Sequence, residues 1–315
     1  MKRTVLWSQR IARILACSAL AYLVLAAVFG VILAEGVLHV ARNHVPPRAK
    51  FAALVSPWSR SGLEDVSIKA EDGAILRGWP VRPDRWKQKA VILLHGVGDN
   101  RAGMVSFAPI FLKNGYEVLI PDARGHGESG GSLATYGWFE KEDVRVWVAA
   151  LKRGDVWNNA PQCVFLMGES MGAAIAVQAA SVPGVCGVVA EAPFSSFREI
   201  AYERIAQVGH VPLSWSRLVA WPVVDAAFAY ARLRYGIDFD RVSPQLALES
   251  THAPVLLIAG LRDSNIPARH SKRIMASAIG RNELWLVPGA GHTDASRIEP
   301  VEFERRVLSW FKGCG

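Results

Sequence analysis

Six short apolar runs, each cut off by turn-forming residues, constrain the fold of this chain more than any other feature: AVILLHG, EVLIPDARG, CVFLMGES, GVVAEAPF, VLLIAGLRD and ELWLVPGAGH. A strand with one wet face alternates apolar and polar residues. A run apolar at nearly every position is buried on both faces, as in a parallel sheet covered by helices on its two sides. Helical stretches at residues 140–151, 171–181, 269–278 and 300–311 separate or follow these runs. Ahead of them, VSIKAEDGAILRGWPV holds two extended segments around Asp72-Gly73, a hairpin signal. The expectation is a doubly wound α/β fold, mostly parallel, with helices on both faces.

One interval breaks the rhythm. About 60 residues separate the strand ending near Ala192 from the one starting at Val255, far beyond an ordinary connection of about 2–6 residues. Trp215, Trp221, Phe228, Tyr230 and Tyr235 recur there at helical spacing, so residues 197–250 are read as a helical cap insertion, with the two tryptophans packed inside it. The domain proper is expected over 62–315 and a linker over 41–61, where Pro46, Pro47 and Pro57 fall.

Residues 1–40 form a separate segment. Positions 14–34 carry no charge, and roughly 20 apolar residues suffice to cross a bilayer. The run outlasts the h-region of a cleaved signal peptide, about 7–15 residues, so a transmembrane helix serving as single-pass anchor is expected. Lys2, Arg3, Arg10 and Arg13 precede it and Arg42, Arg48 and Lys50 follow, a small asymmetry that favours the domain after the span lying outside the cytoplasm. The net charge of +8 comes from dispersed residues with no nucleic-acid-binding motif, so a nucleic-acid partner is not expected. Cys17, Cys163, Cys186 and Cys314 form no metal-binding pattern.

The residues at strand ends carry the chemistry. Gly168-Glu169-Ser170-Met171-Gly172 stands between a strand and an Ala-rich stretch. In this G-x-S-x-G context a sharp turn pushes the serine oxygen out of the sheet, making Ser170 the candidate nucleophile. His95-Gly96-Val97-Gly98 follows the first run, and the backbone N–H groups of Val97 and Met171 are the candidate oxyanion donors. The base emerges by elimination. His39 and His44 belong to the anchor region, His210 to the cap, His252 to the wrong sheet edge and His270 to a helix. His95 and His126 sit in glycine-rich turns where a structural hydrogen bond suffices, leaving His292 in a flexible loop after the last strand. Asp263, just past VLLIAG, is the candidate acid, with Glu191 as rival; Asp122 is expected to tie a loop together. The order Ser170, Asp263, His292 suits this elbow.

Together these motifs resemble the α/β-hydrolase superfamily, from about Leu63 to the C-terminus. The anchor and Glu191-Ala192-Pro193-Phe194-Ser195-Ser196 are similar to the Bem46/ABHD13-like and serine-aminopeptidase-like groups. The resemblance implies an eight-stranded sheet, a covalent acyl-enzyme, and neither metal nor organic cofactor. Family strand order sets the strands beginning at Cys163 and Cys186 side by side, implying a disulfide if the domain is exported. The expected activity is serine hydrolysis of a carboxylic ester or lipid-like acyl substrate. A serine peptidase, or a non-catalytic binding protein on the same fold, is the alternative.

Overall fold

The computed structural model describes residues 2–314. In chain order the helices are α1 (Lys2–Leu38), α2 (Ala52–Val55), α3 (Ala108–Leu112), α4 (Glu140–Arg153), α5 (Met171–Gln178), α6 (Phe197–Gly209), α7 (Leu213–Tyr235), α8 (Pro244–Leu248), α9 (Arg269–Ser277), α10 (Ala295–Ile298) and α11 (Pro300–Lys312). The strands are β1 (Val66–Lys69), β2 (Ile75–Val81), β3 (Lys89–Leu94), β4 (Tyr116–Pro121), β5 (Cys163–Glu169), β6 (Val185–Glu191), β7 (Val255–Gly260) and β8 (Asn282–Val287). The chain divides into two compact units, one of residues 1–38 and 198–239, the other of 39–197 and 240–315.

The larger unit contains an eight-stranded sheet of order β1-β2-β4-β3-β5-β6-β7-β8. The β1–β2 and β2–β4 pairs are antiparallel and all others parallel. The expected hairpin is β1–β2; Gly73 turns it at φ +90°, and the Asp72 carboxylate accepts the Ala74 N–H at 3.1 Å. Residues of one strand serve opposite cores. Val91 and Leu93 of β3 join Phe111 and Phe311 from α3 and α11, whereas Ala90, Ile92 and Leu94 join Trp147 and Ile175 from α4 and α5. Two covered faces explain why these runs are apolar throughout.

The structure draws the outer bounds differently from the sequence reading. The 41–61 stretch is docked on the larger unit rather than a free linker. Val45 and Val55 are buried in the Phe111 core, and the Arg42 guanidinium donates to the Ser129 carbonyl at 2.5 Å and to that of Gly131. Residues 240–250, expected in the insertion, return to the sheet unit. Leu248 of α8 is fully buried in the Trp147 core, and the Ser243 hydroxyl accepts the Leu246 N–H at 3.2 Å to start that helix.

Cys163 and Cys186, at the starts of neighbouring strands β5 and β6, are joined by a disulfide with their Cα atoms 5.6 Å apart. The crosslink spans 23 residues. Replacing both cysteines by Ala is expected to cost about 3 kcal/mol, mainly by freeing a loop of this length in the unfolded chain. The reading is a lower urea midpoint at unchanged slope, and an unaltered midpoint would remove the bond from the stability of the fold.

In the smaller unit α1 packs along α7. The two helices approach so closely that a Cβ on Gly30 would stand 2.6 Å from the Val223 carbonyl oxygen. Glu35 accepts hydrogen bonds from the hydroxyls of Tyr230 at 2.5 Å and Tyr235 at 2.7 Å, and the Tyr22 hydroxyl donates to the Val219 carbonyl. Residues 9–38 of α1 are long and apolar enough to cross a membrane. Trp215 and Trp221, expected to pack within the insertion, are instead exposed.

Candidate active site

Ser170 joins β5 to α5 at φ 54° and ψ −115°, a left-handed conformation that costs energy for a residue with a Cβ. Its two glycines make the turn possible. A Cβ on Gly168 would lie 2.3 Å from the Gly172 carbonyl carbon, and one on Gly172 would lie 2.1 Å from the Leu94 carbonyl oxygen. The helix can therefore start directly against the ends of β3 and β5, and the Ser170 N–H is tied to the Glu191 carbonyl at 2.9 Å.

Ser170, Asp263 and His292 come together from three strand ends. His292 Nδ1 lies 2.8 Å from Asp263 Oδ2, and its Nε2 lies 2.9 Å from Ser170 Oγ. An ionised carboxylate only accepts, so Nδ1 carries the proton, and bare Nε2 accepts from the serine hydroxyl. The Asp263 side chain is almost wholly buried, and its Oδ1 accepts the N–H groups of Asn265 and Ile266, both at 2.8 Å. The two loops are locked to each other as well. Arg262 N–H donates to the Ala290 carbonyl at 2.9 Å, and a Cβ on Gly260 would fall 2.4 Å from that same oxygen.

The loop after β3 passes beside Ser170, where a Cβ on Gly96 would be 3.5 Å from Ser170 Cβ. His95, buried, braces this loop as the sequence suggested. Its Nδ1–H donates to the Gly96 carbonyl at 2.8 Å and its Nε2 accepts the Ala123 N–H at 3.0 Å. Burial, and then the neighbouring His126, lower the imidazole to about 4, so His95 stays neutral and keeps both bonds. Asp122 ties the next loop, accepting from the Arg101 N–H at 2.7 Å, the Arg101 guanidinium, and the Glu128 N–H at 2.8 Å. Asn43, from the docked 41–61 stretch, donates its amide to the Gly98 carbonyl, and Asn100 reaches back to the His44 carbonyl at 3.3 Å. Nothing in the local sequence marks Asn43, because its partner is 55 residues away.

Residues 91–306 match the model of the alpha/beta hydrolase family. The chain belongs to that family. Uncharacterized protein YqkD of Bacillus subtilis is 31% identical over 229 residues, 71% of each chain. The thermostable monoacylglycerol lipase of Bacillus sp. strain H-257 is 32% identical over a shorter stretch, 31% of this chain and 38% of the lipase. Among solved structures, the Pyrococcus furiosus esterase Pf2001 superposes with a TM-score of 0.67 at 24% identity, covering 89% of this chain and 99% of the esterase. That likeness is one of fold.

In this alpha/beta hydrolase, Glu191 takes a place that the sequence left open. Its Oε1 accepts the Ala295 N–H at 2.8 Å, holding the chain just past His292, while its buried Oε2 has no hydrogen-bond partner among the described residues. Burial raises its carboxyl to about 7, against the pull of the Ala295 N–H. A glutamate in the unfolded chain, near 4.5, loses its proton first. Over that window the folded state binds more protons, so this group makes stability fall as pH rises from about 4.5 to about 7. Glu191→Gln keeps an acceptor for Ala295 and removes the ionisation. The variant is expected to lose less melting temperature than the wild type between pH 5 and pH 7.5, and an equal loss would rule the group out. Glu169, beside Ser170, is raised to about 8 by burial and then by the charges of Glu191 and Asp99, so it is kept largely neutral at pH 7.

Proposed function

We propose that this alpha/beta hydrolase is a membrane-tethered serine esterase that cleaves a carboxylic ester or lipid-like acyl substrate. The observation that carries the reading is the unbroken hydrogen-bonded series Ser170 Oγ, His292 Nε2, His292 Nδ1 and Asp263 Oδ2, with contacts of 2.9 and 2.8 Å. Ser170 Oγ attacks the acyl carbon as its proton passes to Nε2, and the buried carboxylate of Asp263 stabilises the resulting imidazolium. The N–H groups of Val97 and Met171 receive the oxyanion; among the described residues neither is engaged by a backbone carbonyl. Collapse of the tetrahedral intermediate expels the alkoxide, which takes the proton from His292. Water then repeats the sequence on the acyl-enzyme, releasing the acid and restoring Ser170. The reaction balances without a metal or organic cofactor.

An ester or lipid-like acyl group is favoured by the apolar run of α1, which would hold the protein at a bilayer, and by the resemblance to a monoacylglycerol lipase. The Cys163–Cys186 disulfide supports an extracytoplasmic catalytic domain, since such bonds persist in oxidising compartments. The test is a series of p-nitrophenyl esters of increasing acyl length run beside aminoacyl p-nitroanilides. Turnover rising with acyl length and far exceeding that of the anilides is the expected result. Faster anilide cleavage would make the protein a peptidase, and no turnover of either would make it a binding protein.

A further inference from the structure

The smaller unit poses a problem of depth. Tyr22 of α1 meets Val219 of α7, Gly30 meets Val223 and Ala226, and Glu35 meets Tyr230 and Tyr235. Residue numbers rise together along both helices, so they run parallel and in step. At about 1.5 Å per residue, the 14–34 run is about 32 Å long, and Tyr22 lies about 3 Å from its midpoint. Val219 is therefore level with the middle of the run, and the first turns of α7 lie beside its N-terminal half. Shifting the span toward the N-terminus to spare α7 would draw Arg10 and Arg13 into hydrocarbon, at a cost of roughly 2.5–3.5 kcal/mol each at the centre. A bilayer that accepts α1 must then meet the start of α7.

The surface at that level is suited to lipid. Leu218 is 67% exposed, Trp215 60% and Val208, in the last turn of α6, 81%; Val211, Val219 and Trp221 are exposed as well. Two tryptophans among aliphatic side chains are the composition of a membrane interface. The charges nearby are paired. Arg217 binds Glu199, and Arg198 Nη1 lies 2.5 Å from Asp225 Oδ1, which lowers the cost of bringing them below the headgroups.

We propose that the α6–α7 turn and the first turns of α7 insert their exposed apolar face into the leaflet that α1 enters, so that two helices rather than one hold this hydrolase at the membrane. The proposal rests on the membrane-tethered reading above. It makes the insertion a lipid-contacting element.

The test uses the full chain with Cys17→Ser and Cys314→Ser, which leaves the disulfide in place. Leu218→Cys, Val208→Cys, Leu20→Cys and Val301→Cys are added one at a time and labelled with an environment-sensitive fluorophore. The protein is reconstituted in phosphatidylcholine vesicles with or without doxyl groups high on the acyl chains. Lipid quenching at 218 and 208 is expected to come within about twofold of that at 20, with iodide quenching several-fold weaker than at 301, as for a face shielded from water by acyl chains. Lipid quenching at 20 with free iodide access at 218 and 208 would overturn the proposal and leave the anchor standing. No lipid quenching at 20, 218 or 208 would remove the anchor reading too. Shielding of 218 and 208 from both quenchers would assign the face to a second protein surface and overturn the proposal.

Discussion

Ser170→Ala is expected to lower kcat/KM on a short p-nitrophenyl ester by about 10⁴–10⁶-fold and to abolish covalent labelling by a fluorophosphonate probe. The hydroxyl is the only group that the 2.9 Å contact with His292 Nε2 activates, and alanine removes it without altering the turn. The φ of 54° is as strained for Ala as for Ser, and the Ser170 N–H bond to the Glu191 carbonyl uses only backbone atoms. Stability should therefore stay within about 0.5 kcal/mol, the usual range for a change that disturbs no packing. Rate and stability separate the chemical role from a structural one. Undiminished labelling in the variant would take Ser170 out of the reaction.

Asp263→Asn is expected to cost about 10⁴-fold in kcat, for a reason visible in the hydrogen bonds. Oδ1 is held by two N–H donors, from Asn265 and Ile266, each at 2.8 Å. An asparagine must place its carbonyl oxygen there, which turns its NH₂ toward His292 Nδ1. The imidazole then accepts at Nδ1, carries its proton on Nε2, and can no longer take one from Ser170. The loop geometry survives because both N–H bonds survive, so the loss should fall on kcat far more than on melting temperature. A decrease of less than tenfold would show that another group orients the imidazole, with Glu191 and Asp294 the carboxylates to examine.

These effects follow from residues at strand ends, and strand ends were what the sequence displayed best. AVILL, CVFLM and VLLIAG mark buried parallel strands because both their faces meet helices, a property written in every position of each run. The Gly168–Gly172 turn was equally plain, since its glycines and serine lie within five consecutive residues. His292 and Asp263 could be singled out by their places after the last two strands. Glu191 stands at the end of β6, also at a strand's C-terminal edge, and no local pattern distinguishes it from Asp263. The choice lies in loop geometry, with Asp263 facing Nδ1 and Glu191 bound to the Ala295 N–H. Asn43 was wholly illegible, as its environment is created by a loop far along the chain.

The sequence by itself determined the element types, the doubly wound fold, the serine turn and the order of the candidate catalytic side chains, because each depends on neighbours a few residues apart. Tertiary structure alone decided which carboxylate meets the imidazole and where the 41–61 stretch docks. It also decided where the insertion ends and that α1 runs beside α7 with Trp215 and Trp221 exposed. Those outcomes depend on gaps of a few ångströms between segments tens to hundreds of residues apart. A hydrophobic pattern says that a face will be covered; only packed backbones, such as that of Gly30 against Val223, say by what.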